Sequence, residues 1–264
     1  MTNYVSTDFA PNGVATITML REDVHNAFDD VMIAQLINAF EQAQASDDTR
    51  VIVLRSNGKN FSAGADLNWM RSMATKNYQE NMDDAGVLAS LMKLIATCAK
   101  PTIALVQGAA FGGAVGLVAC CDIAIATQRA SFCLSEVKIG LIPAVISPYV
   151  VNAIGQRQAQ RYFLTAERFK ADKALEFGLV HEINDDLDSA VRPIIDSLLQ
   201  NSPAAMEQAK ELISFVANEN LSDELINGTS ERIAAIRVSN EGQEGLSSFL
   251  EKRQPNWIKG DNNV

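Results

Sequence analysis

Apolar and polar positions in the first half of the chain follow patterns that predict strands and helices in turn. Residues 13–20 alternate with period two, which predicts a strand, and residues 51–54 form the short apolar run typical of a buried parallel strand. Residues 102–106 and 123–126 have the same apolar character. Because helical periodicity fills the intervals, we predict an α/β domain with right-handed crossovers between parallel strands.

Helical segments separate these strands. They cover residues 28–45, a stretch that begins near Leu67 and that Asp66 can cap, residues 81–97, and a helix of small residues that ends near Ala119. The polar run at 74–80 is predicted to be mobile. A glycine-rich turn is predicted between the strand at 102–106 and the helix of small residues.

From residue 147 onward the pattern is almost entirely helical. The predicted helices cover residues 147–155, 157–163, 171–177, 187–200, 203–218, 221–239 and 242–252. Residues 180–183 are the one strand-like interruption, and Ser202 followed by Pro203 is a strong helix start. We therefore predict a core over residues 1–198 and a helical oligomerisation region over 199–264, with a frayed tail at 260–264.

Composition and charge narrow the function. A chain of 264 residues with 47% hydrophobic residues fits one large globular domain or a domain with an appended subdomain. The net charge of −10 disfavours binding to nucleic acid or anionic membranes. The apolar run at 101–121 is interrupted by Gln107 and ended by Asp122, so we predict no membrane span. The four cysteines lack CxxC spacing, and the first eight residues lack a signal-peptide pattern, which favours a cytoplasmic protein.

The inventory of reactive side chains excludes several kinds of chemistry. The only histidines are His25 and His181, and no HExxH or cysteine cluster is present, so we predict no metal site. A serine hydrolase is disfavoured because there is no GxSxG motif. Neither a Walker motif nor a GxGxxG after a strand is present, which disfavours nucleotide hydrolysis and NAD chemistry.

Two glycine-rich segments, at 61–67 and 107–116, each follow a predicted strand and open a helix. Glycine lets the backbone approach a ligand closely, and free N–H groups at a helix start suit a developing negative charge. Two such segments could aim one N–H each at a single oxygen and form an oxyanion hole. Tight packing of strand against helix explains the same glycines equally well.

A single acidic residue, Glu136, lies in the apolar segment 131–143, just before a glycine and proline turn. Partial desolvation there would raise the pKa of its carboxyl group toward the range useful for acid/base chemistry. The alternative is a surface glutamate paired with Lys138 or a nearby arginine.

Taken together, these segments resemble the enoyl-CoA hydratase/isomerase (crotonase) family over nearly the whole chain. The matching segments, in family order, are 26–28, 61–66, 108–122, 136–143, 163–180 and 244–253. The resemblance implies a core of stacked ββα units in a superhelix, and a helical C-terminal region that forms homotrimers, commonly paired into hexamers. It also implies an acyl-CoA thioester as the substrate and no cofactor beyond that coenzyme A.

The resemblance also implies roles for particular residues. The backbone N–H groups of Ala65 and Gly113 would hold the thioester oxygen, and Glu136 would be the general acid/base. The implied substrate-binding positions are Val24, Ala63, Gly64, Asp66, Leu67, Gly112, Gly116, Phe249 and Lys252. Of these, Phe249 and Lys252 match positions that reach the nucleotide end of coenzyme A, often from a neighbouring subunit.

One position departs from the family pattern, because Gly116 stands where hydratases usually carry a second glutamate. In finer detail the chain is similar to bacterial methylglutaconyl-CoA hydratases of leucine degradation. This predicts syn hydration of a 3-branched 2-enoyl-CoA, such as 3-methylglutaconyl-CoA or isohexenylglutaconyl-CoA. A Δ3,Δ2-enoyl-CoA isomerase or an acyl-CoA decarboxylase of the same fold remains the alternative.

A distal carboxylate on the substrate would need a nearby cation. Arg71, Lys76 and Lys93 are candidates in the second and third predicted helices, and Arg71 is slightly favoured because arginine binds carboxylates bidentately. Because a surface charge is seldom functional, the favoured interpretation is that all three are solvated surface charges.

Overall fold

Nine strands are present in the computed structural model, which describes residues 2–217 and 219–258. They are β1 (Val5–Phe9), β2 (Val14–Met19), β3 (Val51–Ser56), β4 (Thr102–Val106), β5 (Ala109–Phe111), β6 (Ile123–Ala126), β7 (Ser131–Cys133), β8 (Phe169–Lys170) and β9 (Glu182–Ile183). Six form one sheet in the order β1-β2-β3-β4-β6-β9, and β5-β7-β8 form a second. In the larger sheet β1 is antiparallel to β2 and the other neighbours are parallel.

Helices connect the strands and make up the end of the described chain. They are α1 (Asp30–Ala45), α2 (Leu67–Met73), α3 (Tyr78–Ala96), α4 (Gly113–Cys120), α5 (Ser147–Thr165), α6 (Ala171–Phe177), α7 (Leu187–Gln200), α8 (Pro203–Val216), α9 (Asp223–Val238) and α10 (Asn240–Glu251). Side-chain caps begin many of them, as at Asp29 for α1 and Ser202 for α8. The predicted α/β architecture is confirmed.

Both faces of the larger sheet are buried. In β3, Ile52 and Leu54 face a core that also contains buried residues of α1, α3 and α4. Their neighbours Val51 and Val53 face the opposite side, where Ala190 of α7 packs. Successive side chains of a strand point to opposite faces, so a strand covered on both sides is apolar throughout. This explains why 51–54 is a continuous apolar run.

The structure corrects the predicted elements in several places. Strands β1, β7 and β8 were not predicted, and β5 lies within the segment interpreted as a glycine-rich turn. Residues 78–80 are helical and not part of a mobile run, because Asn77 and Glu80 form a capping box that starts α3 at Tyr78. Because β8 also lies after residue 147, the segment 180–183 is not the one strand in that part of the chain. Only its last two residues pair with β6.

The C-terminal helices are attached to the core by polar contacts. Arg50 of the sheet region donates to the carbonyl oxygens of Asn201 (2.7 Å) and Trp257 (3.0 Å). Lys210 of α8 forms an ion pair with Asp122 at 2.6 Å. The predicted boundary at 198 falls two residues before the end of α7 and stays a prediction, and the tail predicted at 260–264 lies outside the described residues.

The helices α8, α9 and α10 expose many large apolar side chains. They include Ile213, Val216, Ile226, Ile233, Val238, Leu246, Phe249 and Leu250. Within residues 2–217 and 219–258, none of the helices combines the length and the apolar character that crossing a bilayer requires.

Candidate active site

The loop after β3 is held against the segment before α1 by a short parallel bridge. Phe28 donates its N–H to Gly64 O and accepts from Asp66 N–H, both at 2.7 Å. In this pattern the peptide groups of Ala65, between those two partners, point away from Phe28. Among the described residues the Ala65 N–H has no acceptor. A backbone donor is therefore presented at a fixed place.

A second bridge joins the same loop to β5. Ser62 N–H donates to Ala109 O and Phe111 N–H donates to Ser62 O, both at 3.0 Å. Gly64 has φ +93°, and a Cβ built there would lie 2.9 Å from Phe111 O. Only glycine accommodates both the left-handed backbone and this close approach. The two glycine-rich segments therefore lie side by side.

The start of α4 presents the second donor. Gly113 is the first helical residue, and its N–H lacks an acceptor within the described chain, as expected for the first turn of a helix. Gly112 precedes it with φ +52° and ψ −124°, and its own N–H donates to Cys133 O at 2.8 Å. The Phe28 ring lies 3.4 Å from the Cβ position of Gly113. The ring of Phe28 thus packs beside Gly113, while its backbone is hydrogen-bonded to Gly64 and Asp66, the two neighbours of Ala65.

The carboxyl group of Glu136 lies against this helix start. Glu136 begins a short 3-10 helix, Glu136–Ile139, that follows β7. Its Oε1 is 3.2 Å from the Cβ position of Gly112, and its Oε2 is buried without a hydrogen-bond partner. Burial raises the pKa of this carboxyl group above its ordinary value of 4.5, as the sequence predicts. No ion pair to Lys138 forms in the described part of the chain.

The raised pKa of Glu136 predicts a pH-dependent stability. Folding raises the pKa of Glu136 above its ordinary value of 4.5. The stabilisation that its protonated form provides is therefore fully present below pH 4.5 and is lost as the pH rises through the folded-state pKa. Glu136→Gln removes the buried charge. We therefore expect the variant to melt above the wild type at neutral pH, with the gap closing as the pH falls toward 4.5. Thermal unfolding over a pH series measures this, and equal gaps at every pH would contradict it.

A buried charge cluster supports the loop that carries Ala65. Arg21 donates to Ala27 O at 2.7 Å and pairs with Asp66 at 3.1 Å and Asp29 at 2.8 Å. Asp66 also caps α2 by accepting two backbone N–H groups. Burial alone would raise the pKa of Asp66, but these bonds and Arg21 outweigh it and the pKa is lowered. Arg21 was not singled out from the sequence, because its partner Asp66 lies 45 positions away along the chain.

Removing this cation should destabilise the protein. We expect Arg21→Met to lower the free energy of unfolding by about 3 kcal/mol, because it leaves the Asp66 carboxylate buried without its cation. Arg55→Met is the matched control, since its partner Asp188 is 65% exposed and such surface pairs contribute about 1 kcal/mol or less. Urea unfolding of both variants measures the difference, and equal losses would contradict the role of Arg21.

The remaining predicted binding positions differ in where the structure places them. Ala63 is exposed on the loop that carries Ala65, and Leu67 is exposed at the first residue of α2. Val24 is half-buried in the 3-10 helix Glu22–Val24. Phe249, 81% exposed, and Lys252 lie at the end of α10, outside the contacts described above. Their roles stay predictions.

Gly116 is buried, and other side chains occupy the space where a side chain of its own would lie. A Cβ built on it would lie 2.2 Å from Ile146 Cγ2 and 3.2 Å from Met92 Sδ. Neither Ile146 nor Met92 was singled out from the sequence, because nothing local indicates that they meet Gly116. The space beside this glycine is filled by other side chains of the protein.

The three candidate cations for a distal carboxylate are in different states. Lys76 is paired with Asp84 at 2.8 Å, while Arg71 donates to the neutral side chain of Asn68 at 2.7 Å. Lys93 is exposed on α3. Of the two that have a described partner, Arg71 alone keeps a charge that no carboxylate neutralises.

Comparison with known proteins gives consistent similarities. An enoyl-CoA hydratase of Alternaria alternata is 32% identical over 90% of this chain and 78% of its own. The mitochondrial Δ(3,5)-Δ(2,4)-dienoyl-CoA isomerase of Dictyostelium discoideum is 31% identical over 92% of this chain and 86% of its own. The crystal structure of an enoyl-CoA hydratase from Shewanella pealeana superposes with a TM-score of 0.95 at 56% identity, covering 97% of this chain and 96% of that one.

The enoyl-CoA hydratase/isomerase family profile matches residues 10–260, which is nearly the whole chain. The matched region contains the two bridged loops, the helix start at Gly113 and the half-buried Glu136. This chain therefore belongs to the enoyl-CoA hydratase/isomerase family and has its crotonase fold.

Proposed function

We propose that this protein catalyses the reversible syn hydration of a 3-branched 2-enoyl-CoA, such as 3-methylglutaconyl-CoA or isohexenylglutaconyl-CoA. The observation that carries the proposal is the half-buried carboxyl group of Glu136, which lies against the helix start at Gly113. The backbone N–H groups of Gly113 and Ala65 have no acceptor among the described residues. The proposal places the chain with the methylglutaconyl-CoA hydratases within its family. Coenzyme A enters as part of the substrate, with no further cofactor.

The two donors would stabilise the charge that develops during the reaction. The N–H groups of Ala65 and Gly113 hold the thioester oxygen, which becomes an enolate oxygen when water adds to the β-carbon. The positive end of the α4 dipole adds to this stabilisation. A backbone donor of this type contributes most in the transition state, where the oxygen carries the most charge.

Glu136 would move the proton. Its ionised carboxylate accepts a proton from water as the water oxygen bonds to the β-carbon, and it then delivers that proton to the α-carbon of the enolate. The product gains one hydroxyl and one hydrogen, and Glu136 returns to its ionised form. Because one carboxylate serves both carbons, both groups are added to the same face. The raised pKa of Glu136 suits a group that must first accept and then release a proton.

A branched β-carbon fits a site with one carboxylate. Water addition to such a carbon gives a tertiary alcohol, and the extra carbon substituent stabilises positive charge at the point of attack. Activation of the water by a second carboxylate is then less important. Gly116, which offers no side chain, is consistent with this substrate class.

The same geometry supports a second candidate function. A Δ3,Δ2-enoyl-CoA isomerase or a decarboxylase also forms a thioester enolate, and it needs no water at the β-carbon. The apolar contact of Gly116 with Ile146 favours this alternative, because it leaves no second polar group there.

One assay separates these functions. Purified protein is incubated with crotonyl-CoA, 3-methylcrotonyl-CoA, 3-methylglutaconyl-CoA and a 3-enoyl-CoA, following enoyl-thioester absorbance and product mass. We expect 3-methylglutaconyl-CoA to gain one water at the highest kcat/KM. A protein that hydrates none of them but converts the 3-enoyl-CoA without a change of mass is an isomerase, and the hydratase proposal is then wrong.

We also propose that the protein is a cytoplasmic homotrimer or a hexamer formed from two trimers. The exposed apolar side chains of α8, α9 and α10 support assembly, and the four buried free thiols fit a reducing compartment. We expect light scattering at micromolar concentration to give a trimeric or hexameric mass. A fully active monomer would contradict this proposal.

A further inference from the structure

Two glycines, one directly before α4 and one in its first turn, face different partners. Gly112, at the helix start, faces the carboxyl group of Glu136, with Oε1 3.2 Å from its Cβ position. Gly116 closes the first turn of α4, three residues after Gly113, so it lies about one turn along the helix axis from the helix start that Glu136 lies against. Its Cβ position lies 2.2 Å from Ile146 Cγ2 and 2.8 Å from Ile146 Cβ. Ile146 therefore occupies the space beside α4 about one helical turn from the helix start that Glu136 lies against.

This space cannot be opened by a small adjustment. Ile146 is 2% exposed and directly precedes α5, where its carbonyl accepts the Val150 N–H at 3.0 Å. The near atoms belong to the branch at its Cβ, which is stiff and cannot swing aside like the end of a long side chain. Met92 Sδ lies 3.2 Å from the same Cβ position. Any side chain at position 116 therefore requires a smaller residue at 146.

We propose that Ile146 is a specificity-determining residue, because it fills the space beside Gly116, the position at which hydratases of the family usually carry a second glutamate. Its side chain restricts the site to chemistry with a single carboxylate and selects acyl groups whose β-carbon is branched. This inference rests on the proposed hydration.

The selection follows from how the water is activated. At an unbranched β-carbon, attack requires a strongly activated water, which two carboxylates on one face can hold between them. One would accept a proton from the water while the other, in its protonated form, donates a proton to the α-carbon. With Ile146 filling the space at Gly116, the water is activated by Glu136 alone. Unbranched substrates are then hydrated slowly.

The test exchanges the two residues together. We expect Gly116→Glu/Ile146→Gly to raise kcat/KM for crotonyl-CoA at least about 10-fold over wild type, since a second proton-transfer group typically contributes about 10²–10⁴-fold. Gly116→Glu alone should lose thermal stability and gain nothing. The matched control is Gly116→Gln/Ile146→Gly, which has nearly the same volume without the carboxyl group. A smaller pair, Gly116→Asp/Ile146→Ala, repeats the test should the first pair not fold.

A packing measurement tests the pairing without any substrate. We expect Gly116→Ala to lower Tm strongly in the wild type and much less in an Ile146→Ala background. The same drop in both backgrounds would overturn the proposal, and so would a glutamine control that gains crotonyl-CoA hydration equally. Folded exchange variants that hydrate crotonyl-CoA no faster than Ile146→Gly would also overturn it. Failure of the proposed function is read separately, from wild type that hydrates no branched substrate.

Discussion

Glu136→Gln should lower turnover by about 10²–10⁴-fold while acyl-CoA binding stays close to that of the wild type. Glutamine keeps the size and the hydrogen-bonding capacity of the side chain but cannot accept and return a proton. The Oε2 atom is buried without a partner, and Glu136 forms no ion pair within the described residues, so the substitution breaks no structural ion pair. Turnover is measured by enoyl-thioester absorbance, and binding of an unreactive saturated acyl-CoA by calorimetry.

The control for this variant is Glu41→Gln, an exposed glutamate on α1 remote in sequence from the site segments. It removes one negative charge without changing the site, and we expect wild-type turnover. A Glu136→Gln protein that hydrates at the wild-type rate would refute the assignment of the acid/base. A variant that also loses acyl-CoA binding would show that Glu136 holds the substrate instead.

Gly113→Val should lower turnover by about 10²–10³-fold, the loss typical of removing one oxyanion-hole donor. A single Cβ at this position would meet the Phe28 ring at 3.4 Å, an ordinary contact, but the two further methyl groups of valine crowd the ring and the donor site. Phe28 pairs with the loop that carries Ala65, so its displacement disturbs both donors. We expect kcat to fall more than KM rises, because the lost interaction is strongest in the transition state.

Gly86→Val is the matched control, since Gly86 is exposed on α3 and a Cβ there contacts nothing within 4 Å. Both variants place a β-branched residue in a helix, so they have similar propensity costs. Circular dichroism establishes that each is folded. Gly113→Val protein that is folded and stays within a few-fold of wild-type turnover would mean that Gly113 is not an oxyanion donor.

Local patterns predicted the parts of the fold that depend on local contacts. The strands at 51–54, 102–106 and 123–126 are apolar because both faces of the sheet are covered, and the structure confirms all three. The helix boundaries were predicted best where a cap is present in the sequence, as at Asp66 and Ser202. The strands β5, β7 and β8 were missed because each is short and exists only through pairing with a segment distant along the chain.

The sequence by itself determined the α/β class, the helical C-terminal half, the two glycine-rich segments and the single carboxyl group in an apolar segment. These features follow from the periodicity and the residue types of short segments, so they can be recognised from residues that are neighbours in the sequence. Only the tertiary structure decided that Arg21 supports the Ala65 loop, that Phe28 contacts the glycine of the second loop, and that Ile146 closes the space at Gly116. Each of these contacts joins residues 30 or more positions apart, and their distances depend on how strands and helices pack in three dimensions. Side-chain packing of this kind leaves no periodic signal in the chain.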